Sequence, residues 1–103
     1  MFGDLFSQAE EQQKAMRQKL AEVTIEAEAG DGAVKVTANA NREILNIRFN
    51  KELLDWEDVE QVEDLVTIAV NRALELAGQK EAEQTQQLLQ NMLPPGLENL
   101  FGK

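Results

Sequence analysis

The chain has 103 residues, no cysteine, no histidine and a formal net charge of −9. This length predicts one small domain with a modest core, and the missing residue types exclude disulfides, thiolate nucleophiles and Cys- or His-based zinc sites. No apolar run approaches the roughly 18 residues that a membrane span needs, and residues 1–4 do not resemble a signal peptide. We therefore expect a cytoplasmic protein with no membrane partner.

The negative charge is concentrated in the second half of the chain. Residues 1–22 and 23–50 each carry four acids and three bases, for −1, whereas residues 51–103 carry eleven acids and four bases, for −7. Within 52–64 there are seven acidic residues and no basic one. Because phosphate neutralisation dominates affinity for nucleic acids, this acidity alone argues against tight binding to a polyanion.

Residues 4–22 are predicted to form a helix, because apolar residues recur there at helical spacing. Asp4 is the predicted N-cap, since its carboxylate can accept from the first free amides. Lys14 and Arg17 lie three residues apart and so share a face, which either binds phosphate or forms ordinary pairs with nearby glutamates. The candidate contact residues on this helix are Gln13, Lys14, Arg17, Gln18 and Lys19.

Residues 23–29 alternate between apolar and polar, which predicts a strand with one buried face. Asp31-Gly32 predicts a two-residue hairpin turn, which sets Ala29 opposite Val34. In this register, apolar residues pair on one face of the hairpin and polar residues pair on the other. After a second turn in 39–42, a third strand at 43–49 has an apolar face. That face is expected to carry Leu45, Ile47 and Phe49.

Residues 55–92 are predicted to form a long helix that begins at Asp55 and precedes a tail at 93–103. Its apolar stripe is wide enough to cover the sheet and to leave surface for a second copy. Beyond Gly78, nothing in the polar stretch 79–87 is expected to anchor the chain to the core, so 79–90 is expected to form a mobile projecting arm. The predicted dimer contacts are Val62, Leu65, Val66, Ala69, Val70 and Ala73.

The order of helix, three antiparallel strands and helix predicts a two-layer α+β domain over residues 1–103. No catalytic constellation accompanies it: Ser7 is the only serine and has no histidine to activate it. Gly30-Asp31-Gly32 precedes a strand, so it is not a phosphate loop at a helix N-terminus. The acids of 55–64 lack the spacing of a calcium loop. We expect no enzyme activity, no cofactor and no metal.

The chain resembles the YbaB/EbfC family of bacterial nucleoid-associated proteins nearly end to end. The resemblance rests on the Met1-Phe2-Gly3 opening, the glutamine- and methionine-rich first helix, the segment 30–39, the helix segment 62–74 and the close at 93–97. It implies a homodimer with projecting helical arms that bind DNA in the nucleoid. It places DNA contacts at Lys14, Arg17 and Lys19, with Lys80 as a further candidate.

Two functions stay open at this point. One is weak, largely sequence-independent DNA binding through the projecting helices. The other is a dimeric protein-interaction module, which uses the acidic start of the long helix as a docking face and does not bind DNA directly.

Overall fold

The computed structural model describes residues 2–92, and of Met92 it describes only the backbone. Helix α1 spans Phe2–Glu22, strands β1, β2 and β3 span Thr24–Ala29, Val34–Asn39 and Ile44–Phe49, and helix α2 spans Val59–Met92. A 3₁₀ turn at Lys51–Leu53 lies between β3 and α2. The predicted α+β class is confirmed, whereas the predicted tail at 93–103 lies outside the described residues.

Strands β1 and β2 form the predicted hairpin. Ala29 pairs with Val34, as the alternating pattern requires. Asp31 and Gly32 have φ values of 55° and 91°, and positive φ at both central positions is typical of a type I′ turn. The strand order is β1-β2-β3, so β3 is an edge strand. The same register sets Ile25 opposite Ala38, Ala27 opposite Val36 and Glu28 opposite Lys35.

The core lies between one face of the sheet and the first half of α2, and its buried side chains are small. Val34 and Val36 are the largest that are fully buried. Ala69 and Ala73 of α2 have no exposed surface and belong to the same cluster. Small side chains let the helix approach the sheet closely, but each contributes little burial, since a whole valine yields only about 1.5–3 kcal/mol.

Strand β3 carries its apolar side chains outside this core, because α2 covers mainly β1 and β2. All six of its residues are exposed. A register shift between Thr37 and Ala38 sets Ala38 opposite Ile44. Since an extra residue in one strand changes the alternation, Ile44 replaces the predicted Leu45 on the face that also carries Ile47 and Phe49.

Helix α2 begins at Val59, four residues later than predicted. Asp55 does not cap it: its Oδ1 accepts from the Glu57 amide at 3.0 Å within a separate turn. Asp58 caps the helix instead, accepting from the Gln61 amide at 3.2 Å. An aspartate can bond the backbone two residues on, and this local turn competes with the first helical turn.

Helix α1 begins at Phe2, so the predicted start at residue 4 is also wrong. Asp4 lies inside the first turn rather than at the N-cap position. A carboxylate there still interacts favourably with the positive end of the helix dipole.

The described residues form an elongated subunit with a radius of gyration of 19.2 Å. A compact chain of about 100 residues has a radius near ~13 Å. The difference arises because α1 has one buried residue, Leu20, and α2 continues beyond the sheet. Both helices therefore have long stretches of solvent-exposed surface.

Candidate nucleic-acid interface

One face of α1 carries the basic and amide side chains that the sequence singled out. Gln13, Lys14 and Arg17 line a shallow concavity together with Glu10 and Met16. The long polar side chains are exposed. Guanidinium, ammonium and amide groups all donate hydrogen bonds to phosphate oxygens. We call Gln13, Lys14 and Arg17 the α1 basic surface; Gln18 is also exposed but does not line this concavity.

Lys19 and Lys80 do not belong to the α1 basic surface. Lys19 lines a different concavity, together with Met16 of α1 and Leu88 of α2. The Lys80 Nζ lies 3.4 Å from Glu83 Oε2 on the same helix. The structure therefore divides the predicted contact residues among separate surfaces.

The acidic residues of 52–64 lie at the opposite end of the sheet from this surface. Leu65 of α2 packs beside Gly30 in the β1–β2 turn. At the other end of the sheet, the Asn41 side chain donates to the Arg17 carbonyl at 2.8 Å. Strands of six residues separate the two ends by about 17–20 Å, beyond the Debye length of about 8 Å at physiological salt. Screening therefore weakens the effect of this acidity on the α1 basic surface.

The turn between β2 and β3 contacts both helices. Besides the Asn41 bond to α1, the guanidinium of Arg42 lies 3.3 Å from Glu81 of α2. Buried Asn39 holds the turn in shape, since its Oδ1 accepts from the amides of Asn41 and Glu43. One turn thus fixes where both helices leave the sheet, a role for Asn41 and Arg42 that no sequence pattern indicated.

Gly78 has a packing role that the sequence did not reveal. A Cβ built there would lie 3.2 Å from an Arg42 guanidinium nitrogen. Glycine lets this side chain lie across α2 and reach Glu81. The expectation that nothing in 79–87 anchors the segment is therefore wrong, because Glu81 contacts Arg42 of the turn. Leu88, beyond that stretch, lines a concavity with α1.

The residues predicted to contact a second copy lie against the sheet of their own subunit. Ala69 and Ala73 are fully buried there, so they offer no surface to another chain. This correction follows from the small core, which uses Ala69 and Ala73, whereas Val59, Ile68 and Leu76 of the same helix stay exposed. The other four, Val62, Leu65, Val66 and Val70, are half-buried against the same cluster.

Within residues 2–92, no group of acidic side chains is placed to hold a metal ion. No helix in that range has the length and apolar character to cross a membrane. The features that remain are polar and basic surfaces on extended helices and an uncovered apolar strand.

The molecule is thus a small α+β scaffold with two extended helices, one of which carries exposed basic side chains. A family model described as the YbaB/EbfC DNA-binding family matches residues 1–92. The chain belongs to this family.

Bacterial relatives support the same assignment. A nucleoid-associated protein of Thermoanaerobacter pseudethanolicus is 40% identical over 90 residues, covering 87% of this chain and 81% of the relative. A nucleoid-associated protein of Pelotomaculum thermopropionicum is 42% identical over 82 residues, covering 80% and 78%. The crystal structure of an uncharacterized protein from Helicobacter pylori has the same fold, with a TM-score of 0.68, 18% identity and coverage of 85% and 92%.

Proposed function

We propose that this protein binds DNA in the bacterial nucleoid as a homodimer, through phosphate contacts made by the α1 basic surface. The observation that carries this proposal is the match of residues 1–92 to a DNA-binding family. The position of Lys14 and Arg17, on exposed helix and away from the acids of 52–64, supports the choice of surface.

The proposed binding is weak and largely independent of sequence. Lys14 and Arg17 from two subunits give four phosphate contacts, and four contacts correspond to a log–log salt slope of roughly −3.6. Contacts from lysine and arginine to phosphate position a protein without reading bases. Moderate salt should therefore release the DNA.

A gel-shift titration on long duplex DNA tests the proposal. We expect a shift at ~50 mM salt that weakens steeply as salt rises. Replacing Lys14 and Arg17 together by glutamine should weaken binding and flatten the slope. A matched pair of single variants separates the surface from net charge: Lys14→Gln should weaken binding more than Lys19→Gln.

The absence of any shift at ~50 mM salt would contradict direct DNA binding. The protein-interaction alternative would then gain, because the acids of 52–64 are mostly exposed and available to a basic partner. If Lys14→Gln and Lys19→Gln lowered the DNA affinity equally, the protein would still bind DNA, but the α1 basic surface would not be the binding site.

The proposed dimer uses strand β3 rather than α2. We define the β3 apolar surface as Ile44, Ile47 and Phe49, which are 37–38% exposed, together with Trp56, whose ring meets Phe49. Single chains of this size rarely leave contiguous apolar surface uncovered. A second copy can cover it symmetrically, since a two-fold interface uses the same patch on both subunits.

Sedimentation equilibrium at low micromolar concentration tests the dimer. The wild-type chain should have twice the monomer mass, and Ile47→Glu should lower that mass because a charge in a covered interface is costly. Asn46→Glu is the matched control, since Asn46 lies on the opposite face of the same strand. A circular-dichroism spectrum identifies any variant that fails to fold. A wild-type monomer mass would contradict the dimer.

A further inference from the structure

A second group of basic side chains lies on the open face of the sheet, the face that points away from α2. Lys35 of β2 pairs with Arg48 of β3, and Lys51 follows in the 3₁₀ turn. These three side chains line one concavity of about 440 Å³ with Gly32 and Asn50. We call Lys35, Arg48 and Lys51 the sheet basic patch.

The three bases are not engaged by the acids around them. Among residues 2–92, no carboxylate oxygen lies within 4.0 Å of any of the three charged groups. Glu28 is the β1 neighbour of Lys35, Glu52 lines the same concavity, and Glu26 lies two residues further along the same face of β1. The patch thus has three bases beside three carboxylates, none of which lies within ion-pair distance of a base.

The β-bulge creates this arrangement. A regular ladder continued from the Ala38–Ile44 pair would set Lys35 opposite Ile47 and place Arg48 on the other face. The extra residue shifts the register by one, so Arg48 lies directly opposite Lys35. Like charges directly opposite each other on a sheet are destabilising, and an anion between them relieves the repulsion.

The patch is separate from the α1 basic surface, and it meets the β3 apolar surface only at Phe49, which lines the same concavity. It lies near the β1–β2 turn, whereas Arg17 lies near the β2–β3 turn at the other end of the sheet. Its side chains and those of the β3 apolar surface alternate along β3 and point to opposite faces. A second copy can therefore cover the apolar surface and leave the patch accessible.

We propose that Lys35, Arg48 and Lys51 form a second phosphate-binding patch that contacts a DNA backbone separately from α1. The proposal rests on the DNA binding proposed above and adds a site at the opposite end of the subunit. Ammonium and guanidinium groups hold phosphates without reading bases, so this contact is also independent of sequence.

Amine labelling of the unmodified protein is the first test. An amine-reactive reagent followed by mass spectrometry reports how accessible each lysine is, with and without saturating duplex DNA at ~50 mM salt. Lys35 and Lys51 should both be protected by DNA, as Lys14 should be. Protection of Lys14 with unchanged labelling of Lys35 and Lys51 would overturn the sheet patch and leave the proposed function intact.

Salt titration of a triple variant is the second test. Lys35→Gln with Arg48→Gln and Lys51→Gln should make the slope less negative by roughly 0.9 for each phosphate that the variant no longer neutralises, or up to about 2.7 per subunit. The conservative pair Lys35→Arg with Lys51→Arg should keep the wild-type slope, because it keeps the charge.

Net charge is controlled by adding three neutralised acids to the triple variant. The added changes restore the net charge of the wild-type chain, but the patch still lacks its three basic side chains. These changes are Glu57→Gln, Glu60→Gln and Glu63→Gln. The slope should stay flattened in this sextuple variant. Recovery of the wild-type slope would overturn the patch in favour of a general charge effect, and a wild-type chain that binds no DNA would overturn both proposals.

Discussion

Residues 59–77 of α2 lie on the sheet, whereas residues 78–92 lie beyond it, and the two halves depend on different contacts. The first half buries Ala69, Ala73 and Ala77 completely. The second half is held by the Arg42–Glu81 ion pair and by the approach of Leu88 to α1.

The comparison shows that one continuous helix can combine a rigid base with a lightly held extension. Short isolated helices are marginal in water, and most helical stability in proteins comes from packing of an apolar face. The second half has little such packing, since most of its side chains are exposed. The helical structure of the second half therefore depends on its continuation from the packed first half and on the turn that contacts Glu81.

Hydrogen exchange should show the largest difference between the two halves. Amides within 62–77 should open only on global unfolding, which costs about 5–15 kcal/mol in typical domains. Amides within 84–90 should open locally, with a free energy close to that of a fraying helix end. Peptide-resolved exchange measured by mass spectrometry checks this contrast, and equal protection across both stretches would contradict it.

Enlarging a small side chain should matter in the first half only. Ala69→Leu places three extra carbon atoms against the sheet and should lower the free energy of unfolding by about 1–3 kcal/mol. Ala82→Leu is the matched control on the exposed half, where the change should stay within about 0.5 kcal/mol. Urea unfolding followed by circular dichroism measures both, and similar losses would show that the second half is also tightly packed.

Gly78→Ala should act at the junction of the two halves. Alanine gains about 1 kcal/mol of helix propensity, but its Cβ displaces Arg42 from Glu81, a surface pair that contributes about 0.2–1 kcal/mol. We expect a net stabilisation below about 1 kcal/mol. Gly78→Ala should raise the free energy of unfolding by more when it is made in an Arg42→Ala background. An equal increase in both backgrounds would mean that Arg42 and Gly78 do not interact.

Glu81→Gln should have the smallest effect. The pair joins side chains that are 59% and 39% exposed, so its loss should cost about 0.2–1 kcal/mol and less at high salt. Glu83→Gln is the matched control, because it removes a pair within α2 that does not reach the turn. Only Glu81→Gln should speed amide exchange near residue 80. If both variants gave the same exchange rates there, the turn would not stabilise the second half of α2.

The sequence predicted the fold class and the β1–β2 register because these depend on local patterns. Alternation set the buried faces, and Asp31-Gly32 could adopt the turn that joins them. The start of α2 was misplaced because Asp55 and Asp58 are both good capping residues. The choice between them depends on the turn at 55–58, where Trp56 contacts Phe49 of β3.

The candidate site was predicted only in part, because the sequence shows which side chains are present but not which of them lie close together in the fold. Lys14 and Arg17 share a face, as helical spacing requires. The separate position of Lys19 depends on where α2 lies. The pairing of Lys35 with Arg48 depends on a bulge, and that of Arg42 with Glu81 spans 39 residues. Such long-range contacts leave no local pattern to read.

Trp56 gives the molecule a built-in optical reporter. It is the only tryptophan, and the chain has no tyrosine. Its ring is half-exposed and lies 5.4 Å from that of Phe49, edge to face, at the end of β3. Intrinsic fluorescence therefore reports on one place in each subunit. If a second copy covers β3 as proposed, the emission should move to shorter wavelengths on association, whereas DNA held on α1 alone should leave the spectrum unchanged.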